Sequence, residues 1–355
     1  MHCANLVREM KKKSPELDCY GWGGDRMEKE GVKIKKHIRD LAFMGFWEVF
    51  KNIRTIAKNF KICQAQITEI KPDVLILVDY PGFNLRMAKW ANANGIRVFY
   101  YISPQVWAWK KNRVKTIKAC VEELYCILPF EKDFYQELGM NVHYLGHPLL
   151  DEVQHFAGSE TEKIESNRKI LAILPGSRKQ EINSKLPLML KAAKHFKDYK
   201  IIVACAPNQE LSYYKSLVGE EIELIHGKTY QLLKQANLAL VTSGTATLET
   251  ALFRVPQVVC YKSSYVSYWI ARMLVNIKYI SLVNLILNKE AVTELIQHHC
   301  TVENMVAELK KLEENQEKRS KVLYDYSQLI ELLGSKGASE RVAKSMLNAL
   351  KIGNA

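Results

Sequence analysis

The feature that most constrains this chain is an alternation of short apolar runs with amphipathic stretches that runs for about 145 residues, stops, and starts again. Residues 74–78 are Val-Leu-Ile-Leu-Val behind Pro72-Asp73, five apolar residues in a row. Such a run suits a strand buried on both faces of a parallel sheet. Around it the pattern predicts helices at 4–13, 45–68, 84–94, 112–119 and 131–138, and strands at 17–21, 97–102, 123–128 and 142–145. Residues 151–168 are polar and unpatterned, as an interdomain linker would be. Strands are then expected at 169–174, 200–206, 221–226, 238–242 and 256–261, with helices at 185–196, 208–217 and 246–253. From about 290 onward the chain reads as helical, broken at Gly334 and Gly337. Alternating strand and helix imply parallel sheets, so the expectation is an α/β protein of two Rossmann-like domains facing a cleft, with a helical C-terminal tail. The domains are expected at 1–155, 168–300 and, for the tail, 301–355.

At 355 residues with 48% hydrophobic and 25% charged side chains, the chain is long and apolar enough for two cores, which excludes disorder and fibrous repeats. Its 51 Lys+Arg against 38 Asp+Glu give +13, an attraction to something anionic that charge alone cannot specify. The eight cysteines are scattered without a CxxC pair, which fits reduced thiols in a cytosolic protein. No apolar run approaches the roughly 18–20 residues that span a bilayer, and the first ten residues lack the apolar core of a signal peptide.

In doubly wound folds ligands bind at the carboxyl ends of strands, so the strand exits carry the functional argument. The run at 74–78 leads into Asp79-Tyr80-Pro81-Gly82-Phe83-Asn84, which puts a carboxylate at such an exit, able to take a proton from an attacking hydroxyl. The plainer reading is that Asp79 organises the turn. A second exit, Leu174-Pro175-Gly176-Ser177-Arg178, combines a glycine that lets backbone approach a ligand with a guanidinium suited to phosphate. A third, Ser243-Gly244-Thr245-Ala246-Thr247-Leu248-Glu249, opens a helix whose unpaired amides favour a diphosphate, with Glu249 inside to face ribose hydroxyls. An ordinary capped packing helix would have the same letters. Lys262 adds a cation, and His147 in Gly146-His147-Pro148 is either a site or a structural residue. No Walker A or post-strand Gly-x-Gly-x-x-Gly pattern occurs, nor an Asp-x-Asp or a His cluster, so neither a nucleotide-dependent P-loop, a metal nor another cofactor is expected.

One stretch points elsewhere. Phe46, Val49, Phe50, Ile53, Ile56, Ala57 and Phe60 recur at helical spacing beside Lys51, Arg54, Lys58 and Lys61, with Trp47 on the margin. A bulky apolar face next to a basic band suits an interface beside anionic lipid. A core-packing helix with a solvated edge is the competing explanation. Trp107-Ala108-Trp109-Lys110-Lys111 also mixes aromatics and cations, but no RNA-binding signature accompanies it, so no nucleic-acid partner is expected.

Taken together these motifs resemble the lipid-A-disaccharide synthase family. The resemblance rests on the three exits above, on Tyr101-Ile102-Ser103-Pro104-Gln105-Val106-Trp107-Ala108-Trp109, on Leu128-Pro129-Phe130-Glu131 and on Gly146-His147-Pro148, all in family order. It implies a GT-B architecture and an inverting transfer of 2,3-diacylglucosamine from its UDP conjugate to 2,3-diacylglucosamine 1-phosphate, giving a β-1,6 disaccharide 1-phosphate and UDP. It further implies a peripheral location on the cytoplasmic face of the inner membrane, and leaves a homodimer open. Asp79 corresponds to the family's essential aspartate and Arg178 to its important arginine. The donor site is expected from Ser177, Arg178, Gly244, Thr245, Glu249, Lys262 and Asn284, the last within Ser281-Leu282-Val283-Asn284, and the acyl-chain surface from Phe46, Trp47, Phe50, Ile53 and Arg54. The family usually opens with a strand and a Gly-Glu-x-Ser-Gly-Asp loop, whereas Met1-His2-Cys3-Ala4-Asn5 resembles the residues just after that loop, so Met1 is expected to be an internal methionine. That departure keeps two alternatives: a nucleotide-sugar- or lipid-binding protein without turnover, and another GT-B enzyme such as an epimerase.

Overall fold

A computed structural model describes residues 1–41, 53–108, 112–158, 163–219, 222–264, 268 and 277–352. The chain divides into two compact units, Met1–Asp151 with Ser335–Ala355, and Glu152–Gly334.

The first unit is built on a parallel sheet of β3 (Val74–Val78), β4 (Arg97–Tyr101), β5 (Glu123–Cys126) and β6 (His143–Tyr144), in that order. Alternate residues of β4 point to opposite faces. Val98 and Tyr100 enter one core with Leu77, Met87, Ala88 and Ile117. Phe99 and Tyr101 enter the other, with Leu6 and Met10 of the helix His2–Lys13 and Val342, Ala343, Met346 and Leu347 of the helix Ala338–Ile352. The last helix therefore belongs to the first unit. Its N-terminal amides are capped by Asp151, whose carboxylate accepts from Gly337 N at 2.6 Å, Ala338 N at 3.2 Å and Ser339 N at 2.9 Å. A separate parallel pair, β1 (Tyr20–Gly23) and β2 (Lys33–His37), completes the described strands of this unit.

The second unit carries six parallel strands: β7 (Lys169–Leu174), β8 (Tyr199–Cys205), β9 (Glu223–His226), β10 (Leu238–Thr242), β11 (Gln257–Tyr261) and β12 (Thr293–Ile296). They lie in the order β12-β11-β10-β7-β8-β9. In the unit's own chain order this is 3-2-1-4-5-6 read from β9, the doubly wound dinucleotide-fold arrangement, whose switch point falls between β7 and β10. Leu171, Ile173, Leu240 and Val241 are completely buried there, which is why these strands read as unbroken apolar runs.

Several expectations are corrected. The chain is not helical throughout from about 290, since Thr293–Ile296 is a strand, and the tail is shared between the units: the helices Val302–Glu314 and Gln316–Leu333 pack within the second, and Ala338–Ile352 within the first. The supposed linker begins with the helix Leu149–Ala157. The strand expected at 17–21 is found at Tyr20–Gly23, and its partner Lys33–His37 is too charged to read as a strand from sequence. The helix expected at 185–196 starts earlier, at Lys179, directly after Arg178. That expected at 45–68 is described as Ile53–Ile70.

Candidate active site

In the first unit Asp79 follows β3 as expected. Its backbone and that of Tyr80 are both left-handed, with φ of 46° and 44°. For residues with a Cβ this costs roughly 1–2 kcal/mol each. Asp79 N still donates to Tyr101 O at 3.1 Å, extending the ladder one residue past the strand. The Asp79 carbonyl accepts from Tyr100 Oη at 2.5 Å and Asn84 Nδ2 at 2.8 Å, and Asn84 Nδ2 also donates to Val78 O at 3.0 Å. The side chain of Asp79 keeps an exposed face, yet surrounding protein excludes enough water to raise its pKa, opposed by the Tyr80 amide. A carboxylate raised in this way is a better proton acceptor.

Beyond β4, Trp107 donates its indole N–H to Glu131 Oε1 at 3.1 Å. Glu131 is buried and also accepts from Leu128 N at 3.1 Å and Ile127 N at 3.3 Å, so it caps the helix Pro129–Glu137. Burial outweighs these donors and lifts its pKa to about 7. His147 is also buried, accepts from Leu149 N through Nδ1 at 3.1 Å, and has its pKa pushed down to about 3, chiefly by burial. It is a neutral structural imidazole.

In the second unit the exits of β7 and β10 flank the switch point. Gly176 has φ of 113°, and a Cβ built there would meet Glu181 Oε2 at 2.6 Å and Thr242 Cγ2 at 3.3 Å. Only glycine fits. Glu181 accepts from Ser177 N at 3.3 Å and pairs with Arg178 at 3.4 Å, while Asn208 and Gln209 amides hold Ser177 O at 3.2 and 3.1 Å. Arg178 remains largely exposed at the start of its helix. Gly244, with φ of 141°, is the N-cap of the helix Thr245–Leu252, and both Gly244 and Thr245 are exposed. Two helix N-termini thus open beside one another at the end of the sheet, an arrangement that favours anionic oxygens. Glu249 is largely withdrawn from water, which raises its pKa, and its Oε1 accepts from Tyr230 Oη at 3.1 Å.

Lys262 is exposed beyond β11, and its neighbour Ser263 is held at both backbone groups by the Gln297 amide, at 2.8 Å to N and 3.2 Å to O. Asn284, expected as a further polar contact of the donor site, has its amide occupied within the protein. It is completely buried, its Oδ1 accepting from Ala291 N and Val292 N, its Nδ2 donating to Val292 O and Glu294 Oε1. With its amide fully engaged, Asn284 shapes the loop that Glu294 holds through Ile280 N and Ser281 N, both at 2.9 Å. Ser243 joins the same loop by donating to Ile280 O at 2.8 Å. Glu294 and Gln297 escape a reading of the sequence because each acts on backbone groups of a remote segment, which leaves no periodic trace; Asn84 and Glu181 brace backbone only a few residues before them, and it is the direction of their side chains that sequence does not reveal. Lys185, 2% exposed, escapes it too; burial lowers its pKa while Glu181 counters.

Phe46, Trp47 and Phe50 lie outside the described residues. Ile53 opens its helix and Arg54 is exposed. Further along, that helix packs inward: Phe60 meets Phe83 edge-on at 5.7 Å, and Asn59 is buried and accepts from Lys36. Among the described residues no His, Cys, Asp and Glu side chains gather as a metal site, and no helix is long and apolar enough to cross a membrane.

Two parallel-sheet units in one chain, the second doubly wound with glycine-bearing exits at its switch point, define a GT-B protein. Solved structures agree on the fold: the S. aureus MnaA-UDP co-structure (TM-score 0.67, 14% identity, 98% of this chain and 93% of that one) and CalG4, the calicheamicin glycosyltransferase (TM-score 0.61, 13% identity, 99% and 94%). Within that class the chain belongs to the lipid-A-disaccharide synthetase family, whose model matches residues 1–349. The lipid-A-disaccharide synthase of Syntrophus aciditrophicus strain SB is 39% identical over 99% of this chain and 95% of its own length.

Proposed function

We propose that the protein is a glycosyltransferase of lipid A biosynthesis that joins UDP-2,3-diacylglucosamine to 2,3-diacylglucosamine 1-phosphate with inversion, releasing UDP. Family membership over nearly the whole chain supports the activity, and the Asp79 exit is the observation that carries the mechanism. Asp79 takes the proton of the acceptor's 6-hydroxyl as that oxygen attacks the anomeric carbon; the carbon–oxygen bond to UDP breaks and its electron pair leaves on the diphosphate. Arg178, Ser177 and the amides at Gly244 and Thr245 stabilise the charge that grows there, with Lys262 adding a further cation. Glu249, braced by Tyr230, meets the ribose hydroxyls, and Asn284 contributes by holding the neighbouring loop.

The +13 charge and the basic segment that includes Arg54 support an anionic membrane surface as a partner, with Phe46, Trp47, Phe50 and Ile53 as its apolar side. The protein works there as a peripheral enzyme on the cytoplasmic face. The experiment is to measure UDP with both acyl sugars present and with each alone. UDP release that needs both, with a β-1,6 disaccharide 1-phosphate as co-product, is expected; binding without turnover, or epimerised donor, would overturn the reading.

A further inference from the structure

We propose that Asn84 and Tyr100 are positioning residues that aim the Asp79 carboxylate, an inference that rests on the reading of Asp79 as the base. The direction of a Cα–Cβ bond is fixed once the peptide planes on both sides of that residue are fixed. The plane before Asp79 is held at both ends, by Asn84 Nδ2 on Val78 O and by Asp79 N on Tyr101 O. The plane after it is held at Asp79 O by Tyr100 Oη and again by Asn84 Nδ2. One side-chain amide therefore spans two consecutive carbonyls, and one buried phenol sets the second. Two adjacent left-handed residues with side chains persist only where their surroundings over-determine them, and these bonds supply that constraint. They act on the backbone of Asp79 and not on its carboxylate.

The local chemistry is otherwise hard to account for. Asparagine is a poor helix former, yet Asn84 sits in the first turn of the helix Pro81–Ala93 with its amide turned back to the strand. Tyr100 is completely buried in a sheet, where phenylalanine would pack as well but for the hydroxyl.

The test compares Asn84→Ala, Tyr100→Phe and Asp79→Asn in the full chain, measuring kcat, both KM values, the pH dependence of kcat and the melting temperature. At temperatures where each variant is folded, Asn84→Ala is expected to lower kcat about tenfold or more and Tyr100→Phe about threefold, because small misplacements of a reacting group cost rate steeply. The donor KM should stay within about twofold, and the acidic limb of the kcat profile should shift in both variants. Tyr100→Phe removes a single oxygen from a packed ring and keeps the test valid if Asn84→Ala does not fold. Normal kcat in both variants beside an inactive Asp79→Asn would overturn this inference alone. Loss of rate that merely tracks the unfolded fraction would also overturn it. An active Asp79→Asn would remove the base, and the positioning role with it.

Discussion

The β3 exit of the first unit and the β7 and β10 exits of the second hold their positive-φ turns in different ways. In the first, the exit of β3 is strained: Asp79 and Tyr80 are left-handed although both carry side chains, and Ile102 beyond β4 is left-handed too. In the second, the exits of β7 and β10 place glycine at the positive-φ positions, Gly176 and Gly244. The difference fits the chemistry proposed for each exit. Proton transfer needs a carboxylate at the turn, so glycine is excluded and the strain is held by neighbours. Phosphate recognition needs backbone amides to come close, so a side chain is an obstacle.

The largest effect is expected from removing the one side chain that justifies the strain. Asp79→Asn should lower kcat by roughly 10²–10⁴ while calorimetry shows UDP affinity within about twofold of the original. A retained rate would leave the strained exit without a chemical purpose. Glu131 tests whether buried polar groups of the first unit carry a proton burden. Below about pH 4.5 its carboxyl is protonated both folded and unfolded; between about 4.5 and 7 only the unfolded chain ionises, so stability falls as pH rises. The full drop is on the order of 3 kcal/mol, and Glu131→Gln should flatten the slope of denaturation free energy over that window. An unchanged slope would mean that Glu131 is ionised in the folded protein.

On the other side, Arg178→Ala should weaken UDP binding by about 2 kcal/mol, the scale of a charge-assisted hydrogen bond, without moving the pH profile of kcat. A shifted profile would show that the two exits do not divide the labour as described. The smallest effect is expected at Asp151→Ala, which uncaps the last helix and should cost about 1–2 kcal/mol in thermal unfolding.

What the residues reveal in advance obeys the same division. The strands β3, β7 and β10 are legible because burial on both faces leaves continuous apolar runs, and the exits Asp79, Arg178 and Gly244 are legible because they abut those runs. Lys33–His37 is not, since a short exposed pair needs no apolar face. Thr293–Ile296 is hidden within flanking helical sequence, and the return of Ala338–Ile352 to the first unit depends on a remote surface of Phe99, Tyr101 and Tyr125. Of the side chains that brace the exits, Gln297 and Glu294 are found only when distant backbone groups are brought together, and Asn84 and Glu181 only when the direction of the side chain is known. The sequence offers Asn284 as a ligand contact and does not show that it sits in the helix Leu282–Leu287 with its amide fully bonded, because bonding to other segments leaves no local trace.

The proposed mechanism turns on direct attack by an acceptor hydroxyl that Asp79 activates. The most direct measurement is the anomeric configuration of the disaccharide formed from UDP-2,3-diacylglucosamine and 2,3-diacylglucosamine 1-phosphate, read by NMR. Inversion relative to the donor is expected, with a β-1,6 linkage and one UDP released per bond formed; retention of configuration would rule out direct displacement.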